Sequence, residues 1–510
     1  MMKKINFLKT IMGCFLVLFI GCTNLDQQVL DGVIVSETGS DVIDPAAQLV
    51  SAYEGLRTLQ AERDASGIEE LVSDAMVGPT RGGDWDDNGV LRQLYLHTWS
   101  PLHQFLRDSW NNLLSGVFAA NLVLENNPSA DQAAQARFIR AYLYYYVVDM
   151  YGQMPFREIG SRVEDDAQVM QRAEATQFLI DEVEEIISSL PELSDPTVAN
   201  KDAARFLLAK LYLNKAVFTA SNPAGPYTFD PTDMNAVIAN VDAMTASLAP
   251  DYWDNFVPDN SEISPEIIFA SKNIQGVSGG NLRAVWFKSN HYNQTPGGWN
   301  GFTTLAEYYD KFDPNDHRIL YWEPEVLDKS GYNLGFQIGQ QYGPGGPGVG
   351  EALKDRPGNP LVFTKETQLL AGGATLETSG IRGLKYKPDY VDLNKPDNDY
   401  VLARYSDALL MKAEAILRGG SSGDSPTDIV NQIRTRAGQP TLSNVTLEVL
   451  LDVRARELWW EGWRRNDQIR FETFLEPKEL KNSSSEPEKV LFPIPAGALS
   501  NPNLTQNPGY

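Results

Sequence analysis

Apolar residues recur three and four positions apart in two blocks of the chain, which is the spacing of amphipathic helices. Each segment with this pattern ends close to Asn, Gly or Pro, residues that commonly terminate helices. The first block holds segments 46–59, 109–127, 134–152, 176–190 and 201–218, and the second holds 400–420 and 447–471. The pattern predicts a mostly α-helical protein.

Small residues within these segments indicate how the helices pack. Ala141, Ala209 and Ala413 stand among Tyr and Leu residues, as in helices that approach each other closely in antiparallel pairs. Tetratricopeptide repeats are built in this way, but the strict period of about 34 residues is absent. We therefore predict a degenerate tetratricopeptide-repeat scaffold of helix pairs.

Between about 250 and 400 the sequence becomes rich in Gly, Pro, Asn and aromatic residues, as in "AVWFKSNHYNQTPGGWNGF". Such a stretch cannot build a helical core of its own, and long loop-rich segments usually carry function. We predict one unit over 22–510, with a helical scaffold at about 40–250 and 400–475 and a loop-rich ligand-binding insertion at about 250–400. The second helical block must pack against the first to bury its apolar face.

The N-terminus has the features of a secretory signal. Lys3, Lys4 and Lys9 precede an apolar run that is too short for a stable membrane span. Gly21 and Cys22 then resemble the lipobox of bacterial lipoproteins, and the only other cysteine, in the signal itself, cannot pair with Cys22 after cleavage. We predict a lipoprotein signal peptide at 1–21, lipidation at Cys22 and membrane attachment through that lipid. The alternative is cleavage elsewhere, with Cys22 incidental.

The chain is strongly acidic, with 67 Asp and Glu against 43 Lys and Arg and a net charge of −24. Removing the signal also removes three lysines, which makes the mature chain more negative. Such a surface repels nucleic acid and anionic lipid, so we expect no nucleic-acid partner. A neutral ligand would not feel this repulsion.

The loop "RGGDWDDNGV", residues 81–90, is compatible with a calcium site. Asp84, Asp86 and Asn88 occupy the first, third and fifth places of an EF-hand-like loop. Positions nine and twelve would be Arg92 and Tyr95, where a calcium loop needs water access and a bidentate glutamate. Calcium bound by these residues is therefore the weaker interpretation, and we expect no cofactor. An ordinary solvated acidic turn is a further alternative.

The same loop favours a carbohydrate site. A turn can display an indole ring against the apolar face of a sugar, and nearby polar groups can fix the hydroxyls. Further aromatic and amide residues in the insertion could extend this surface, although each could instead pack locally or serve an ordinary turn. The predicted ligand-binding residues are Trp85, Arg81, Asp84, Asp86, Asn88, Trp286, Asn290, Tyr292, Asn293 and Trp299.

A second group of tryptophans lies in the last helical segment. Trp459, Trp460 and Trp463 fall within the apolar pattern there, so we predict that they belong to the core. Glu461 and Arg465 are four positions apart, which predicts an ion pair along the same helix.

The sequence gives little support for an enzyme. A nucleophile elbow, a P-loop and an HExxH motif are all absent, and the four histidines are scattered. Glycoside hydrolysis needs two carboxylates on opposite sides of the scissile bond, and neighbouring carboxylates of one turn rarely take that arrangement. We predict a non-catalytic protein with no catalytic residues.

Several motifs, in this order, resemble the SusD/RagB family: "RAYLYYYVVDMYGQMPF" (140–156), "YVLARYSDALLMKAEA" (400–415), "IRTRAG" (433–438), "ARELWWEGWRRNDQIRF" (455–471) and "LFPIPAGALSNPNLTQNPGY" (491–510). The resemblance extends from Cys22 to Tyr510. It implies an outer-membrane nutrient-uptake lipoprotein of Bacteroidetes that faces outward from the cell surface. In that family, tetratricopeptide-like proteins capture oligosaccharides and pass them to a SusC-like TonB-dependent barrel.

The resemblance also implies where the ligand binds. Glycan platforms in the family generally come from the loop after the first helix and from the central insertion, and this sequence has aromatic residues in both. The alternative function is a protein- or peptide-binding or purely structural surface lipoprotein, because tetratricopeptide helix pairs form grooves for peptides.

Overall fold

The computed structural model describes residues 33–35, 41–60, 63–162 and 164–510. The predicted signal peptide at 1–21 and the lipidation site Cys22 lie outside the described residues. The described chain is mostly helical, as predicted. None of its described helices is both long enough and apolar enough to cross a membrane.

The first helical block contains the longest helices of the described chain. Ser129 and Gln132 form a capping box at the start of its most buried helix, which ends at Gly152 with φ of 71°. The helices of this block are α1 Pro45–Gly55, α2 Ala65–Leu71, α3 Val90–Leu96, α4 Gln104–Glu125, α5 Ala130–Tyr151, α6 Arg172–Ile186, α7 Lys201–Phe218 and α8 Pro231–Asp242.

The central segment, at about residues 250–400, has only short helices. The second helical block follows it. The central helices are α9 Asn260–Ile263, α10 Leu282–Phe287, α11 Ala306–Tyr309 and α12 Pro324–Ser330. The second block consists of α13 Tyr405–Leu417, α14 Pro426–Arg436, α15 Leu447–Glu457 and α16 Arg464–Arg470.

Consecutive helices of the first block pack against each other from α4 to α8. Helix α1 lies so close to α4 that a Cβ atom at Gly55 would be 2.9 Å from the Cα of Gly116. Helix α13 packs against α7 and α8. The second block therefore joins the first in space, and one large hydrophobic core spans both.

The short strands of the described residues form small sheets of two or three strands. The strands are β1 Val33–Val35, β2 Asp41–Ile43, β3 Thr80–Arg81, β4 Gln153–Phe156, β5 Gln168–Gln171, β6 Ile267–Ser271, β7 Leu320–Tyr321, β8 Leu334–Gln337, β9 Gly339–Gln340, β10 Val362–Phe363, β11 Leu370–Ala371, β12 Arg382–Leu384 and β13 Tyr400–Arg404. Antiparallel pairing joins β1 to β2, β4 to β5, β6 to β13, β9 to β10, and β8 to both β7 and β12.

One parallel pairing brings the loop after β3 to the central segment. Strand β3 pairs with β11, with Thr80 opposite Leu370. Single β-bridges continue this contact between Val77 and Thr303 and between Thr304 and Ile381. Three stretches that are far apart in sequence therefore meet at residues 80–87, 288–304 and 370–382.

The last predicted helix is broken in the structure. Trp459, Trp460 and Trp463 are buried as predicted, but α15 ends at Glu457 and α16 begins only at Arg464. The chain between them turns through Trp460 and Gly462, which have φ of 57° and 80°.

Contact with α2 explains this break. The backbone N–H of Gly462 donates to Oε1 of Glu70 at 2.7 Å. A Cβ atom at Gly462 would lie only 2.8 Å from the Cβ of Ser66, so the close approach requires glycine. The predicted ion pair between Glu461 and Arg465 is wrong, because this turn separates them. Arg465 instead pairs with Glu69 of α2 at 2.9 Å.

A buried network of ion pairs links the central segment to the second helical block. Nη1 of Arg404 lies 2.7 Å from Oε1 of Glu457 and 2.8 Å from Oε1 of Glu266. Arg318 contacts the other carboxylate oxygen of Glu457 at 3.0 Å, and Arg436 also pairs with Glu457. Burial alone would raise the pKa of Glu457, but the guanidinium groups of Arg436, Arg404 and Arg318 hold it well below its usual range.

We expect Glu457→Gln to lower the free energy of unfolding by about 3–5 kcal/mol, because three buried guanidinium groups lose a shared counterion. Chemical denaturation of the purified protein measures this loss. Glu185→Gln is the matched control, since Glu185 is exposed and its pair with Arg137 should contribute little.

The loss of stability at low pH provides a second test of Glu457→Gln. A carboxylate with a lowered folded-state pKa stabilises the protein above its unfolded pKa, and this contribution is lost as the pH falls. The acid loss of stability should therefore be smaller in Glu457→Gln than in the parent. Equal denaturation midpoints for the two variants at neutral pH would contradict the role given to Glu457.

Candidate functional site

A cleft of about 450 Å³ opens where the loop after β3 meets the central segment. We call it the aromatic cleft, because three of its lining residues are large aromatics. Its lining residues are Arg63, Gly83, Asp84, Trp85, Asp87, Lys288, Tyr292 and Trp299. The structure thus brings together Trp85, Asp84, Tyr292 and Trp299 from the set predicted by sequence.

Trp85 is held in a strained backbone conformation. Its φ is 62°, in the left-handed region that bulky residues rarely adopt. Reciprocal backbone hydrogen bonds between Arg81 and Asp84, of 2.8 and 2.9 Å, close the turn before it. The indole N–H of Trp85 donates to the carbonyl of Trp299 at 3.0 Å. Such strain persists only where surrounding contacts determine the conformation, which is common at functional sites.

Trp299 is the most exposed ring of the cleft, with 52% of its surface accessible. Its position is nevertheless fixed, because the backbone N–H of Trp299 donates to the backbone carbonyl of Phe287 at 2.8 Å. Its ring also contacts Phe287 edge-on, with centroids 5.0 Å apart. Trp85 lies 6.4 Å from Trp299 and 5.3 Å from Phe302, centroid to centroid. The two indoles therefore form one rigid wall.

Tyr292 is held by residues from the distant segment 354–377. The guanidinium of Arg356 lies 4.2 Å from the centre of the Tyr292 ring. Arg356 pairs with Glu377, whose Oε2 is 2.7 Å from Nε2 of His291. The Tyr292 hydroxyl donates to Asp84 at 3.4 Å. Burial raises the pKa of the Tyr292 phenol, and the Asp84 carboxylate adds to this effect.

Three of the predicted ligand-binding residues are interior, which corrects the sequence interpretation. Trp286 and Asn290 are buried in the central segment, and Arg81 is only 2% exposed. Arg81 donates to the carbonyls of Gly301 at 3.2 Å and Ser379 at 3.0 Å. Burial lowers its pKa to about 9. These side chains hold the cleft loops together and do not face a ligand at the surface.

The other predicted polar residues lie around the cleft without lining it. The carboxylate of Asp86 pairs with Arg92 at 2.7 Å. The amide of Asn293 donates to the carbonyl of Lys354 at 2.8 Å. Asn88 is exposed in a short 3-10 turn. These three residues support the loops around the aromatic rings.

The geometry of the loop bears on the calcium interpretation. Asp84 and Asp86 face different partners, Tyr292 and Arg92. Over residues 41–60, 63–162 and 164–510, no group of three or more His, Cys, Asp and Glu side chains is arranged to hold a metal ion. The loop therefore does not present the two carboxylates as one ligand set. The absence of a cofactor stays a prediction, with calcium as its alternative, and EDTA treatment can test it.

Sequence reasoning missed the charged residues of the cleft. Arg63, Asp87 and Lys288 line it beside the rings. Asp87 and Lys288 stand within the two stretches that were singled out, so their position next to the aromatic residues was a usable signal. Arg63 lies before α2, where the sequence carries no comparable signal.

Comparison with known proteins shows which family this chain resembles. A family model described as the SusD family matches residues 265–510. The starch-binding protein SusD of Bacteroides thetaiotaomicron is 28% identical to this chain, over 96% of this chain and 93% of that protein. The chain belongs to the SusD family.

Solved structures confirm the fold of this SusD-family protein. A SusD superfamily protein from Parabacteroides distasonis superposes with a TM-score of 0.68 at 20% identity, covering 91% of this chain and 98% of the other. Surface glycan-binding protein A from Bacteroides thetaiotaomicron, solved in complex with laminarihexaose, gives a TM-score of 0.63 at 19% identity, with the same coverage. The mostly helical architecture predicted from the sequence is the family fold.

We expect Arg81→Met to lower the free energy of unfolding by about 1–3 kcal/mol or more, because the buried carbonyls of Gly301 and Ser379 lose their donor. The aromatic wall should also loosen, which acrylamide quenching of tryptophan fluorescence detects. Arg92→Met is the matched control, since Arg92 lies nearby in α3 but is only partly buried beside Asp86. Equal effects of the two substitutions would contradict a special role for Arg81.

Proposed function

We propose that this SusD-family protein is a non-catalytic surface protein that captures an oligosaccharide in the aromatic cleft. The observation that carries the proposal is the fixed arrangement of Trp85, Tyr292 and Trp299 around one opening. Two similar proteins are described as binding starch and as holding laminarihexaose. Those descriptions support an oligosaccharide as the class of ligand. Binding in this cleft is inferred from the aromatic rings of this chain.

The cleft offers what a neutral sugar requires. Aromatic faces pack against the C–H surface of a sugar ring, and a few polar groups orient its hydroxyls. Asp84 and Asp87 provide acceptors, and Lys288 provides a donor, within the same cleft. Because the rings are held by hydrogen bonds and ring contacts, little side-chain freedom is lost when a ligand binds.

Binding without cleavage fits the carboxylates of the cleft. Glycoside hydrolysis uses two carboxyl groups that flank the scissile bond. Asp84 and Asp87, the two carboxylates that line the cleft, belong to one turn and come from the same side. This arrangement suits hydrogen bonding to hydroxyls better than acid–base chemistry on a glycosidic bond.

A second part of the proposal concerns where the captured oligosaccharide goes. We propose that the protein is anchored in the outer membrane through the lipid on Cys22, faces outward, and passes the oligosaccharide to a SusC-like TonB-dependent barrel. The lipobox and the family membership support this part of the proposal. Co-purification of the barrel with the lipidated protein from membranes tests the partnership.

We expect Trp299→Ala to weaken binding of the captured polysaccharide by about 1–3 kcal/mol, the range for an aromatic anchor. This loss corresponds to roughly tenfold to hundredfold weaker affinity. Affinity electrophoresis against starch, laminarin and other polysaccharides identifies the ligand, and calorimetry then measures the loss. Trp322→Ala is the matched control, because Trp322 is 40% exposed but does not line the cleft.

Further arms of this experiment separate the alternatives. Trp85→Ala should weaken binding and also lower stability, because its half-buried ring packs on Phe302. EDTA should leave affinity unchanged, and loss of binding with EDTA would favour calcium in the loop at residues 84–88. New reducing ends after prolonged incubation with pure protein would contradict binding without cleavage.

We expect Cys22→Ala to abolish incorporation of labelled fatty acid and to move the protein from the membrane to the soluble fraction. The reason is that the predicted anchor is a multi-chain lipid, which binds membranes far more strongly than a single chain. Metabolic labelling followed by fractionation measures both effects. Cys14→Ala is the control, since Cys14 lies within the predicted signal. If the Cys22→Ala protein still incorporates the fatty acid and stays with the membrane, the lipoprotein assignment is wrong.

A further inference from the structure

A second and larger cavity of about 730 Å³ adjoins the aromatic cleft. We call it the polar cavity. Arg63, Lys288 and Trp299 line both openings, so the two spaces share a wall. The cavity lies within the size range of pockets that bind small ligands.

The polar cavity differs from the cleft in its chemistry. Asn111, Asn281 and Asn394 contribute side-chain amides from three separate stretches of the chain. All three are exposed, and within the described part of the chain these amides make no hydrogen bond to protein. Each amide offers two donors and one acceptor, a set that matches neighbouring sugar hydroxyls.

Other residues that line the polar cavity are held by contacts within the protein and form the wall that it shares with the aromatic cleft. Asn112 donates to Asp64 at 2.8 Å. The guanidinium of Arg283 lies 3.9 Å from the centre of the Phe287 ring, and Phe287 in turn supports Trp299. The wall between the two cavities is therefore fixed, whereas the amides of Asn111, Asn281 and Asn394 are not held by hydrogen bonds to the described residues and can turn toward a ligand.

Trp299 connects the two spaces. It is half-exposed although Trp85 and Phe287 hold it, because its ring borders an opening on each side. A sugar chain that stacks in the aromatic cleft and continues past Trp299 enters the polar cavity. Aromatic stacking there gives way to hydrogen bonding.

Resting on the proposed function, we propose that the polar cavity binds a second segment of the same oligosaccharide. Asn111, Asn281 and Asn394 hydrogen-bond to the hydroxyls of that segment. The substrate class is then an oligosaccharide longer than the aromatic cleft accommodates. Stacking supplies affinity for many sugars, whereas the polar cavity selects among them by hydroxyl arrangement.

A ladder of oligosaccharides tests this assignment. It is prepared by partial hydrolysis of the polysaccharide that retards the parent protein in affinity electrophoresis, with starch and laminarin as the first two probes. Calorimetry on the parent should give a gain in affinity as the chain lengthens beyond what the cleft holds. The triple variant Asn111→Ala, Asn281→Ala, Asn394→Ala should bind the shortest oligosaccharides like the parent and lose about tenfold or more for the long ones.

Two further variants complete the test. Asn111→Trp places a ring at the edge of the polar cavity and should abolish the same length-dependent gain. The triple variant Asn315→Ala, Asn444→Ala, Asn482→Ala removes three equally exposed amides that line neither cavity and should behave like the parent. Thermal melts confirm that all variants fold.

The outcomes distinguish the two proposals. If the parent binds no polysaccharide of the panel, the proposed function fails and this inference fails with it. If the parent binds and the amide variants keep the length-dependent gain, only the inference is overturned. Equal weakening for short and long oligosaccharides would also overturn it, because the amides would then belong to the aromatic cleft.

Discussion

The rest of the architecture depends on the buried ion pairs of the Glu457 carboxylate. Three guanidinium groups share it: Arg318 from the central segment, Arg404 at the end of β13 and Arg436 at the end of α14. Burying these charges carries a large desolvation cost that is offset only when every partner is in place. The network therefore stabilises the protein only if the central segment and the second helical block are docked together, and a partly docked chain leaves buried charge without compensation.

The same principle continues toward the cleft with neutral partners. Arg382 donates to the carbonyl of Ser379 and to the side-chain oxygen of Asn300, both at 2.7 Å, and Arg81 donates to carbonyls of the same stretches. The two cations thus join the strand that precedes Trp85 to the loops on either side of it. Because these buried hydrogen bonds fix the surrounding backbone, the positive φ of Trp85 can be sustained. The ring geometry of the cleft is therefore fixed by buried residues that do not line it.

Local pattern predicted the longest helices, α4 to α7 and α13, but missed others such as α8 and α14, and it did not predict the break in the last helix. Helical periodicity located the segments of both blocks, since each buries one face against a neighbour. It continued one helix through Trp460 and Gly462 because the cause of the break is Glu70, nearly four hundred residues away. Trp85, Tyr292 and Trp299, which line the cleft, were selected from the sequence because turns display their side chains. Arg81, Trp286 and Asn290 were assigned wrongly because their burial depends on strand pairing and on loops that no local pattern reveals.

The division of labour between the two cavities follows from how each is built. The aromatic cleft is part of the folded framework, so its rings can change only at a cost in stability, and stacking tolerates many sugars. Asn111, Asn281 and Asn394 of the polar cavity are exposed, and their amides make no hydrogen bond to the described residues, so they can be exchanged with little effect on folding. One framework can therefore be kept while the exposed side chains around the site change. If the proposed function holds, selectivity is best sought among the exposed amides, and the rings supply the stacking that holds a sugar.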